Sequence, residues 1–163
     1  MAGNILNKYG TNNQGITITL NTLASSTVFV GRASTAIDNT TNLFQDALVV
    51  LKVKTAGSLV APAFVTVYAY GTVDGGTTYT EAATGTDAGL TLTNPPNARI
   101  IGVISTPVTA TTYIAGPWSV AAAFGGVLPD HWGIVVVNTS GAAFDTTEGN
   151  FSKTFQGVFS SYT

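Results

Sequence analysis

The fold class this sequence predicts is all-β: an antiparallel β-sandwich of jelly-roll type, residues 15–163, preceded by an extended N-terminal arm, residues 1–14. Three observations predict it. Among 163 residues there are 27 Thr and 18 Gly, so over a quarter of the chain is two residue types that disfavour helices. Apolar residues recur with a period of two in several short stretches. Turn-forming clusters separate those stretches at short intervals, which is the pattern of a sandwich or barrel. No helical pattern of 10–15 residues lies between strands, so a parallel βαβ organisation is excluded.

The elements follow in order. Residues 1–14 hold four Asn and little periodicity, and read as an arm. Residues 15–20, 27–32 and 89–93 are weak strand candidates. Residues 42–46 have the length and composition for one short helix. In residues 47–54, Ala47, Val49, Leu51 and Val53 fall on one face and Lys52 and Lys54 on the other, so the first set faces a core. Residues 64–70 are β-branched and aromatic throughout, which suits a pleated surface. Residues 72–89, rich in Thr, Gly, Ala and acids, read as a long surface loop or a poorly hydrophobic hairpin. Residues 99–105 and 118–124 are further strands. Residues 132–137 are apolar on both faces, the mark of a central strand. In residues 151–160, Phe151, Phe155 and Phe159 share a face. The expected core is Val49, Leu51, Ile101, Val103, Trp118, Ile134, Val136, Phe155 and Phe159. Asp74-Gly75-Gly76, Asn94-Pro95-Pro96-Asn97, Ala115-Gly116-Pro117, Leu128-Pro129-Asp130 and Asn138-Thr139-Ser140-Gly141 supply the turns.

Composition excludes several function classes. Charged residues are 9% of the chain, against about 25% in an average soluble domain. Six Lys and Arg are scattered against eight Asp and Glu, so no basic patch for nucleic acid is expected. Without cysteine there is neither a disulfide framework nor a thiolate metal site. The longest apolar runs are far short of a membrane span and are broken by Gly or Ser, so no membrane partner is expected. The first residues lack a basic-then-apolar leader, which reads as a chain made in the cytoplasm.

Candidate sites are few. His131 is the only histidine and follows Asp130. Neighbouring strand residues point to opposite faces, so the two pair only through turn geometry. No Gly-x-Ser-x-Gly nucleophile motif accompanies them. A turn histidine is the plainer reading, and no catalytic residue is assigned. Asp74, Glu81 and Asp87 lie in or beside the Gly-rich loop, and carboxylates suit hard cations. Their spacing matches no EF-hand loop, so solvated loop acids are the plainer reading, with neither metal nor cofactor. Tyr68, Tyr70, Tyr79 and Trp132, with Trp118, offer a stacking platform for a glycan. Tyr68, Tyr70 and Phe64 also share one strand face, which is what a core or subunit interface needs.

Several segments carry a likeness over most of the chain: MAGNILNKYG (1–10), ASTAIDNTTN (33–42), YAYGTVDGGTTY (68–79), NPPNAR (94–99) and AAFGGVLPDHWGI (122–134). On these the chain resembles small virion structural proteins of tailed bacteriophages, cyanophage-like viruses included. The resemblance implies a context and no active site: a non-enzymatic protein on the capsid surface of the virion. The roles it implies are capsid decoration (cement) bound to the major capsid protein or, as the alternative, a tail- or fibre-associated receptor- or glycan-binding module. Few charges leave a surface of hydroxyls and amides that is cheap to desolvate on contact. Symmetric shells favour symmetric oligomers, so a homotrimer is expected.

Overall fold

The computed structural model describes residues 4–162. Among these, strands and short 3-10 turns are the regular structure, and the strands form two antiparallel sheets packed as a sandwich. The first sheet runs β1 (Ile5–Tyr9), β11 (Ser152–Tyr162), β5 (Asp46–Lys54), β9 (Thr112–Ser119), with β2 (Gln14–Gly15) also beside β11. The second runs β7 (Ala88–Thr91), β3 (Val30–Ala33), β10 (His131–Asn138), β6 (Phe64–Thr72), β8 (Arg99–Ser105), with β4 (Ile37–Asp38) also beside β10.

The main core lies between the sheets. Ala47, Val49, Leu51 and Val53 of β5 are fully buried and their neighbours are not, as the alternation in the sequence requires. They meet Val65, Val67 and Ala69 of β6, Ile134 and Val136 of β10, and Phe155 of β11. Each such side chain contributes roughly 1.5–3 kcal/mol by leaving water. β10 is buried on both faces because it is the middle strand of its sheet and because residues 79–98 fold back over the outer face. There Val135 and Val137 join Tyr68, Tyr70, Ala83, Leu92 and Ala98 in a second, smaller core.

The sandwich is closed at one side by residues 16–20. Ile16, Ile18 and Leu20 alternate into the core, as a strand would, yet the segment joins no ladder. Ile16 N–H donates to the Lys153 carbonyl in the first sheet, and the Thr17 carbonyl accepts from Thr35 in the link between β3 and β4 of the second, so it bridges the two.

Four expectations need correction. Val103 is exposed, at 54%. The ladder of β6 with β8 slips between Val67 and Tyr68, because Ile101 is an extra residue on the β8 side. One inserted residue flips the side-chain parity, so Gly102 and Ile104 turn inward and Val103 outward. Residues 42–45 form a turn and no helix, and Asp46 already begins β5. The Asn39 side chain brackets the turn, accepting from Phe44 N–H and donating to the Phe44 carbonyl, both at 2.9 Å, and Leu43 has φ 51°. The strand expected at 118–124 ends at Ser119, and Ala121–Phe124 is a 3-10 turn. The Asp46 carboxylate holds that turn by accepting from Ala121 N–H at 2.8 Å. The arm expected at 1–14 is, from Ile5 on, part of the sheet: β1 pairs along Val158–Tyr162 and β2 along Thr154 and Phe155. Residues 1–3 of that arm lie outside the described residues.

A second irregularity shapes the edge next to β8. The ladder of β5 with β9 skips between Val49, opposite Trp118, and Leu51, opposite Ala115. Gly116 fills the skip with φ 114°, and a Cβ there would lie 2.4 Å from the Val49 carbonyl oxygen, so only glycine fits. The kink brings Trp118 across to the other sheet, where its ring lies against Gly102.

A candidate interaction cleft at an open sheet edge

The aromatics picked out in the sequence do not gather on one surface. β6 carries Tyr68 and Tyr70 on the outer face of the second sheet, where both are buried. Tyr79 meets Tyr70 edge-on, with ring centroids 5.5 Å apart. The Tyr70 hydroxyl donates to the Ser34 carbonyl at 2.6 Å, and burial pushes its pKa up to about 12. Trp132 points the opposite way, into the main core, edge-on to Phe155 at 5.2 Å. It is fully buried, so the sheet itself separates it from the three tyrosines.

Asp130 and His131 do come together, and through turn geometry. Asp130 stands in the turn before β10, its Oδ1 3.5 Å from His131 Nδ1, while His131 Nε2 lies 3.9 Å from Asp38 Oδ1. The other Asp130 oxygen accepts from Gly75 N–H. No Ser or Thr hydroxyl hydrogen-bonds to His131 among the described residues. The ring thus stands between two carboxylates at the foot of the Gly-rich loop.

The three loop acids are each engaged separately. Asp74 accepts from the Thr72 hydroxyl and from the backbone of Thr77 and Thr78, which holds its carboxyl down at about 2. Glu81 accepts from Thr93, Asn97 and Ala98, pinning 93–98 onto the loop. Asp87 binds Arg32 and Thr19. Among the described residues no three His, Cys, Asp or Glu gather as metal ligands would.

A cleft of about 790 Å³ wraps the free edge of β8 at its bulge. Phe29, Tyr68 and Ile100 line it on the outer face, and Trp118 and Ala123 on the side toward β9. Arg99 stands in its wall and is exposed. An adjoining hollow of about 390 Å³ continues along the outer face past Val103 and Phe64. Phe29 reaches this position at φ 57°, costly for a bulky residue. The Ser26 hydroxyl helps hold the turn, accepting from Val28 and Val30. Of the cleft's aromatics, the sequence pointed to Tyr68 and Trp118. Phe29 and Arg99 escaped it, because a positive φ and an edge position leave no periodic trace.

No family model, curated protein or solved structure matches the chain.

Proposed function

We propose that this chain is a non-enzymatic virion structural protein of a tailed bacteriophage, a capsid decoration protein that binds the major capsid protein on the outer shell as a homotrimer. The observation that carries the reading is the terminal ribbon. β1 buries no side chain: Ile5, Leu6 and Tyr9 are 75%, 47% and 64% exposed, and the outer edge of the strand is open. Open apolar edges invite pairing with another chain, and proteins that keep them commonly cover them in an assembly. Lys8 is the single charge on β1, so charge gives the edge little protection. The same low charge makes a broad contact cheap to desolvate. Many copies on a shell, linked as trimers, let each contact be modest. The sequence resemblance supplies the phage context. The alternative, a glycan-binding tail module, rested on four aromatics of which Tyr68, Tyr70 and Trp132 are buried.

Light scattering on the purified protein tests the oligomer. A trimer is expected, dissociating when Ile5→Lys and Leu6→Lys are combined while the far-UV circular dichroism stays unchanged. A wild-type monomer at tens of micromolar would count against the reading.

A further inference from the structure

We propose that the open edge of β8, with the cleft beside it, takes an extended segment of a different virion protein by strand addition, and that an acidic side chain of that segment pairs with Arg99. This rests on the virion reading above and assigns the shell-facing surface within it.

Three features place the site. β8 ends its sheet, so its outer edge offers unpaired backbone groups, and past the bulge Gly102–Ser105 is a regular stretch. Its outward side chains, Ile100 and Val103, are 57% and 54% exposed and lead into the cleft lined by Phe29, Tyr68 and Trp118. An added strand would seat alternate side chains there, because side chains along a strand alternate between faces. Strain of the kind Phe29 carries persists where the surrounding structure enforces it, and it clusters at binding and switch sites.

Charge identifies the partner. Arg32 pairs with Asp87, Lys54 with Asp145 and Lys153 with Glu148, whereas Arg99, like Lys8 and Lys52, has no acidic partner among the described residues. It is also the one charged residue lining the cleft. A guanidinium beside apolar and aromatic walls suits a carboxylate, which it grips with two parallel hydrogen bonds. A second copy does not supply one. Of the other edge strands, β1 and β9 contain no Asp or Glu, and β4 is two residues long with its Asp38 carboxylate taken up by the Thr40 amide and hydroxyl. Asp87, next to β7, is already held by Arg32. The complementary segment, apolar with an acid in it, therefore belongs to another protein.

The test uses phage particles carrying variants in place of the natural chain. Particles are first assayed for the wild-type protein: its absence sinks the virion reading itself. With the protein present, Arg99→Glu and Val103→Lys are each expected to lower the copies per particle at least tenfold, and Arg99→Lys to restore part of the loss. Arg99 and Val103 are exposed, and each purified variant is checked for unchanged unfolding in urea. Because the chain has no cysteine, Ser105→Cys gives a single attachment point for a photo-cross-linker on the β8 edge. The expected product joins it to a segment of another virion protein with Asp or Glu among apolar residues. Unchanged copy number in both variants, or cross-links only between copies of this chain, would overturn the proposal while leaving the virion reading standing. Unchanged copy number with saturable quenching of tryptophan fluorescence by free glucuronic acid, lost in Arg99→Glu, would overturn it in favour of an anionic glycan.

Discussion

Replacing Gly102 by alanine adds one methyl group where the two sheets touch through Trp118. A Cβ on Gly102 would lie 2.2–2.6 Å from three atoms of the indole ring, far inside contact distance. Either the ring or β8 must shift, and overpacking of this kind costs about 1–3 kcal/mol. At this chain length that lowers Tm by about 2–4 °C per kcal/mol. Trp118→Ala removes a half-buried ring and costs about 2 kcal/mol, below the range for a fully buried tryptophan. The two changes are not additive. Once the ring is gone the new methyl meets open space, and alanine in a strand is worth roughly 0.5–1 kcal/mol over glycine. Gly102→Ala should therefore destabilise the wild type and stabilise the Trp118→Ala protein, a coupling of roughly 2–3 kcal/mol between the two sites. Urea unfolding of the four proteins measures it. An equal cost of Gly102→Ala in both backgrounds would refute the claim that Trp118 seals the sandwich against β8.

The register of β8 is tested by a pair of substitutions: Val103→Thr should change stability by no more than about 0.5 kcal/mol, while Ile104→Ala should cost about 2–5 kcal/mol. Equal costs would mean that the bulge at Ile101 is misplaced. Acid titration probes the Gly-rich loop. The Thr72 hydroxyl first, then the Thr78 amide, hold the Asp74 carboxyl down from the ordinary 3.8 to about 2. A depressed carboxyl contributes stability above pH 3.8 that is lost as the pH falls through about 2. Asp74→Asn should accordingly flatten the dependence of stability on pH in that window, and an unchanged slope would show that the loop is held by other contacts.

Much of this architecture is legible in the sequence where one physical signal dominates. β5 and β10 announce themselves by strict alternation and by continuous apolarity, and both occupy the places those patterns demand. Residues 16–20 show the limit of that signal, since alternation guarantees burial on one face and says nothing about ladder partners. The misreading of Val103 has the same root: a period of two holds only until a bulge, and nothing in Arg99–Ser105 marks Ile101 as the extra residue. The turn at 42–45 was hidden because Asn39, five residues upstream of Phe44, replaces helical hydrogen bonds with side-chain ones. The edge position of β1 depends on pairing with a strand some 150 residues away, which no local pattern encodes. For the cleft, Trp118 and Tyr68 stood out as aromatics, but their approach depends on the Gly116 kink and the Ile101 bulge acting together.

Cryo-microscopy of the phage particle tests the central claim most directly. The account predicts density on the outer shell at three-fold or local three-fold positions, into which three copies of the sandwich fit. Their terminal ribbons should meet one another and the β8 edges should face the major capsid protein. A particle that carries the protein only at the tail tip, or does not carry it at all, would contradict the account.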